Sequence, residues 1–219
     1  MNTRPALMVS IALLVLVGGC GQQSAQRLAR PPATAQAGPA LIDAAPVPVG
    51  PGPSGTYTVQ PQPAPGSCHS RTASNGQPLP DPACTPGATN PAVTQDNIDS
   101  TICRGGYTSS IRPPASITDR EKDANAKSYG YTGNLHDAEY DHLISLELGG
   151  DPNDPRNLWV EPPSPGHKPG SGPNNPKDTV ENQLHELICK HTVALTDAQS
   201  AIAADWTTAL ARLGHPNGK

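Results

Sequence analysis

The sequence predicts a small α+β domain, and three observations carry that reading. Apolar runs at 140–148 and 157–160 flank a Gly149-Gly150-Asp151 break, the pattern of a small β-hairpin with a longer loop. Two amphipathic stretches follow at 177–189 and 196–213 and predict helices. Four cysteines, Cys68, Cys84, Cys103 and Cys189, are spread through the same portion as an even set suited to two disulfides. The domain is expected to occupy residues 67–219, long enough for one modest core.

Residues 67–97 carry Pro78, Pro80, Pro82, Pro86 and Pro91, which forbid long elements. Residues 101–112 have strand-like composition around Ile102, Tyr107 and Ile111, and Pro113-Pro114 ends the run. A short helix is predicted over 118–128, with Thr118 as cap and Glu121 three residues later. Within 140–148, Leu143, Ile144, Leu146 and Leu148 read as a strand, and 157–160 as its return. In the helix over 177–189, Val180, Leu184, Leu187 and Ile188 form one apolar face, while Asp178, Asn182, His185 and Cys189 fall on the other side. The last helix opens on a Thr196/Gln199 capping box, buries Ile202, Trp206, Leu210 and Leu213, and stops at Gly214 and Pro216. With no phenylalanine, the core must rest on Leu, Ile, Val, Trp and Tyr.

The N-terminus has a different character. Arg4 precedes an apolar run at 7–17 that is too short to span a bilayer, and Val17-Gly18-Gly19-Cys20 follows. These residues resemble the lipobox of bacterial lipoproteins, which implies removal of 1–19 and lipid attachment at Cys20. A multiply acylated cysteine suffices for a stable membrane anchor. From 20 to 66 the chain is mostly Pro, Ala, Gly, Gln and Val with almost no charge, and is expected to be a disordered, extended tether. Export makes the four later cysteines disulfide candidates. Three connectivities are open, and the preferred one pairs Cys68 with Cys84 across a small loop and Cys103 with Cys189. No C-x-x-C spacing occurs, which argues against a structural zinc site.

The stretch with chemical content is Glu139-Tyr140-Asp141-His142, followed by Arg156-Asn157-Leu158-Trp159. Adjacent strand residues point to opposite faces, so Asp141 and His142 can serve different partners. A carboxylate holds a hard cation through oxygen, and an imidazole takes a proton from water near neutral pH. A hairpin returns Asn157 to the same place, where its amide can fix the histidine or the loop.

Asp-His, an apolar strand ending in Gly-Gly, and then Asn-Leu resembles the core of HNH endonucleases, the ββα-metal nuclease fold. The likeness covers about 140–189, with less specific flanks from Cys68 to Trp206. The run from Cys103-Arg104-Gly105-Gly106-Tyr107 to Asn157-Leu158-Trp159 is also similar to a group of exported bacterial proteins with an HNH-like core. The resemblance implies that Asp141 ligates a divalent metal, that His142 activates the attacking water, and that Asn157 supports the hairpin. It further implies a ligand on the following helix, with Asn182 the first choice and Asp178 or His185 the alternatives. Such oxygen-rich ligands suit Mg2+ or Mn2+ better than Zn2+. The implied activity is metal-dependent hydrolysis of nucleic-acid phosphodiester bonds outside the cytoplasm, by a monomer. A net charge of −4 argues against simple electrostatic capture of nucleic acid. The alternative is a non-catalytic envelope lipoprotein that keeps the HNH-like scaffold as a structural or binding module.

Overall fold

The computed structural model describes residues 46–218. The expected signal peptide, Cys20 and the tether up to residue 45 lie outside the described residues. Strands β1 (Arg71–Thr72) and β2 (Pro78–Leu79) pair antiparallel around an Asn75-Gly76 turn, where Gly76 adopts a φ of 84° that favours glycine. A 3-10 helix at Gln95–Ser100 leads to α1 (Tyr107–Ile111) and α2 (Ala115–Ser128). Strands β3 (Glu139–His142) and β4 (Leu158–Glu161) pair antiparallel, with Glu139 opposite Glu161 and His142 opposite Leu158. Three helices close the chain: α3 (Lys177–Cys189), α4 (Leu195–Asp205) and α5 (Ala209–Arg212). The architecture is a mixture of helices and small antiparallel hairpins, as the α+β reading expects.

The main core lies between α3, α4 and α5 and the loop segments laid over them. Ile98, Ile144, Leu148, Leu184, Ile188 and Ile202 are all essentially inaccessible within it. Both preferred disulfides are present, Cys68–Cys84 and Cys103–Cys189. The pairs fit an oxidising, extracytoplasmic compartment. Among the described residues no helix is long and apolar enough to cross a membrane.

Several elements differ from expectation, each for a physical reason. Residues 101–112 are not a strand: after tight turns, Gly106 at φ 84° opens α1, and Tyr107 and Ile111 bury themselves at helical i,i+4 spacing. The helix expected from 118 begins at Ala115, directly after the extended Pro114. The apolar run at 140–148 is strand only to His142. Leu143 and Ile144 then donate their backbone N–H groups to the carbonyl and side chain of Asn157, and Leu146–Leu148 forms a 3-10 turn. All four apolar side chains are buried there, so the hydrophobicity records an internal loop.

The final helix is two helices. Asp205 Oδ1 accepts from the backbone N–H and the hydroxyl of Thr207, which breaks the run after Asp205. Trp206 stays in the core, its indole N–H donating to the Pro78 carbonyl. The Thr196/Gln199 box is absent: Gln95 Oε1 accepts from Leu195 N–H instead, while Gln199 donates to the Leu148 carbonyl.

The expected tether reaches too far. Residues 46–66 lie against the domain, where Gly52 N–H donates to Asp151, Gln60 N–H to Glu121 and Tyr57 OH to the Ile111 carbonyl. Pro63 O accepts from Ser128, and Gly66 N–H donates to the Lys127 carbonyl. A proline-rich strip too polar to form its own core docks because its backbone groups find partners on a surface already folded.

Candidate functional site

Asn157 sets the hairpin loop. Fully buried, its Oδ1 accepts from Ile144 N–H at 3.0 Å and Ala88 N–H at 3.3 Å, and its Nδ2 donates to the carbonyls of Ile144 at 3.0 Å and Asp151 at 2.9 Å. One side chain therefore closes the loop between β3 and β4 and joins it to residue 88. Gly150 is required beside it, because a Cβ there would stand 1.8 Å from the Ile144 carbonyl oxygen.

His142, at the end of β3, is 8% exposed and its Nε2 lies 2.9 Å from the Pro152 carbonyl. A carbonyl only accepts, so Nε2 carries the ring proton and Nδ1 is left as an acceptor. Burial pushes the His142 pKa down to about 4, against the opposing pull of the Pro152 carbonyl and Asp141. The imidazole is neutral at pH 7.

Glu139 and Asp141 share one face of the hairpin with Glu161, since residues two apart point the same way and Glu161 pairs with Glu139. The first turn of α3 meets that face. Lys177, with no solvent exposure, donates from Nζ to Asp141 Oδ2 at 2.8 Å, to the His142 carbonyl at 2.8 Å, and to Glu181 Oε1. Burial opposes its charge, but Asp141, Glu181 and Glu161 hold the ammonium above its usual range. Glu161 is buried with Oε2 unpartnered, and burial followed by the Asp141 charge raises its carboxyl well above the ordinary value. Glu181 is raised by burial against the pull of Lys177, and Glu139 by burial and then Asp141.

The Pro/Gly-rich connection 162–176 delivers α3 to this place. Asp137 fixes it, its carboxylate accepting from Gly170 N–H at 2.8 Å and Gly172 N–H at 3.1 Å. These bonds, the Gly170 N–H first, lower the Asp137 pKa to about 2. Asn175 adds a bond to Glu139 at 3.1 Å and caps Lys177 N–H through Oδ1.

Beside the cluster opens a polar cleft of about 240 Å³. Arg112 forms one wall, Ser145 and Glu147 a second, and Asp178, Glu181 and Asn182 a third. The buried Ser145 hydroxyl oxygen has no partner.

Of the residues the sequence singles out, Asp141, His142 and Asn157 come together on the hairpin. The helix candidates divide. Asp178 and Asn182 line the cleft, with Asn182 Nδ2 donating to the Asp178 carbonyl. His185 lies away from it, its Nε2 3.0 Å from the Ile102 carbonyl and 3.3 Å from Cys189 Sγ. Among the described residues, the one group of three or more His, Cys, Asp or Glu ligand atoms within 4.8 Å of one another is Cys103, His185 and Cys189. Its sulfurs are bonded to each other, so no thiolate is available to a metal. The expected Mg2+ or Mn2+ centre, Asp141 with Asn182 or in its place Asp178 or His185, does not fit: Lys177 already occupies Asp141 Oδ2 as a cation, Asn182 bonds back to its own helix, and His185 is engaged elsewhere.

Sequence reasoning did not find Lys177 as the partner of Asp141, nor Glu181 and Glu161 beside it. A signal was present: positions 177, 181, 184 and 188 form one helical stripe, and all four are buried. No protein-family model matches the chain, and no curated protein or solved structure matches it.

Proposed function

We propose that this protein hydrolyses nucleic-acid phosphodiester bonds outside the cytoplasm, anchored through a lipid on Cys20, with His142 as general base. The observation that carries the reading is the His142 ring: neutral, pinned through its Nε2 proton to the Pro152 carbonyl, with Nδ1 left to accept. In the proposed step, Nδ1 takes a proton from water as the water oxygen bonds to phosphorus. The bond from phosphorus to the leaving oxygen then breaks, and that oxygen is protonated by solvent. Arg112, at the wall of the adjoining cleft, supplies a guanidinium for a phosphate oxygen. Asn157 positions the loop and touches no reacting atom. Since the expected ligand set does not fit a divalent metal, no step is routed through one.

Plasmid nicking by the purified domain, compared with His142→Ala, tests the base. A loss of at least about 100-fold is expected of a general base, and equal rates overturn the assignment. Radiolabelled palmitate should label the wild-type chain in cells and leave Cys20→Ala unlabelled.

A second reading, the non-catalytic envelope module, is favoured by Glu147 and Asp178, two carboxylates on the cleft walls that repel a polyanion. Absence of nicking under every condition, in a protein that melts cooperatively, selects it.

A further inference from the structure

We propose that the Lys177 ammonium is the resident cation of this site, bound on Asp141 where the HNH resemblance would put a divalent metal, and that Lys177 is the positioning residue of the Asp141–His142 pair. The inference rests on the placement of the site at that hairpin.

An ammonium has three N–H donors, and Lys177 has three acceptors: Asp141 Oδ2, the His142 carbonyl and Glu181 Oε1. Its hydrogen-bonding capacity is filled. Two of the acceptors belong to the Asp-His pair, so one side chain fixes both the carboxylate of Asp141 and the backbone from which the His142 ring projects.

Lys177 cannot readily give way to a metal. It is the first residue of α3, its backbone N–H is held by Asn175 Oδ1, and the chain before it is Pro176. A cation displacing it from Asp141 would leave a fully enclosed ammonium beside a second positive charge, which is costly at such depth. Guanidinium groups offer no substitute, since Arg112 stands at the cleft wall and Arg156 is paired with Asp154.

The charge balance agrees. Asp141, Glu161 and Glu181 are buried about one ammonium, with Glu139 and Asp178 each close enough to feel the Asp141 charge.

Mn2+ titration read by electron paramagnetic resonance tests this on the folded wild type, Asp141→Asn, Lys177→Met and the double variant. Wild type and Asp141→Asn should bind the same number of ions. Lys177→Met should gain one Mn2+ per chain that the double variant lacks. One Mn2+ bound by wild type and lost in Asp141→Asn overturns the proposal, as does a folded Lys177→Met that gains none. If Lys177→Met does not fold, the comparison of wild type with Asp141→Asn decides alone. Nicking separates this from the hydrolase reading: activity that survives EDTA supports Lys177 as the cation. Activity abolished by EDTA and restored by Mn2+ overturns it while leaving the hydrolase intact.

Discussion

At its C-terminal end α3 buries Leu184, Leu187 and Ile188 and is tied to residue 103 by a disulfide, whereas its first turn buries Lys177 and Glu181 against Asp141 and Glu161. One helical stripe thus changes from apolar to charged within two turns. The apolar end is the ordinary source of stability, each fully buried side chain contributing roughly 1.5–3 kcal/mol. The charged end is an expensive way to hold a helix, because desolvating the ions cancels most of their attraction. Leucine and methionine there would pack a helix onto a hairpin as well. What the charged end adds is orientation: two directed bonds, to the Asp141 carboxylate and the His142 carbonyl, that fix where the pair points. Stability and site occupy opposite ends of α3.

That division can be broken from either end. The largest effect is expected at the covalent end. Replacing Cys103 and Cys189 together by serine opens a loop with a sequence separation of 86, and should cost about 4–5 kcal/mol by chain entropy, read from urea unfolding. Lys177→Met comes next, at about 4 kcal/mol, because Asp141 and Glu181 lose the charge that compensates them. The same substitution made together with Asp141→Asn and Glu181→Gln should recover most of that loss. If the triple variant is no more stable than Lys177→Met alone, packing rather than uncompensated charge sets the cost. Leu184→Ala should cost about 3 kcal/mol at a site with no solvent exposure, while leaving nicking unchanged at temperatures where the protein stays folded.

The apolar end was legible in the sequence and the charged end was not, for a physical reason. Leu184, Leu187 and Ile188 announce themselves by hydrophobic period, and the bounds expected for α3 agree with Lys177–Cys189. A lysine and a glutamate four apart at a helix start read as a solvated pair, since such residues are rarely buried unless partnered. The hairpin carboxylate that holds Lys177, Asp141, sits 36 residues earlier, where no local pattern points to it. The disulfides were readable because four cysteines in one domain leave few pairings to choose among. Residues 101–112 misled because β-branched composition was weighed above the i,i+4 spacing of Tyr107 and Ile111. The segment 46–66 misled because composition describes the inability of a strip to fold alone, and says nothing about a surface prepared to receive it.

His142 stands between the two regimes, a polar ring held by burial and by one carbonyl, and it gives the smallest effect over any one pH unit and the sharpest sign. Its pKa of about 4 in the fold lies below the ordinary 6.5. Between those values the unfolded chain binds a proton that the folded chain does not. The contribution of the neutral ring is therefore complete above pH 6.5 and is lost as pH falls towards 4, at up to about 1.4 kcal/mol per pH unit. Glu161 and Glu181 act in the opposite direction, since their raised carboxyls take up protons in the fold before they do in the unfolded chain. A bare pH profile mixes the two, so the readout is the stability of wild type minus that of His142→Gln, which keeps both glutamates. The difference should favour wild type at neutral pH and shrink steadily through the acid range. A difference that stays flat would mean that the ring titrates in the fold as it does in the unfolded chain, near 6.5, and that burial does not hold it neutral.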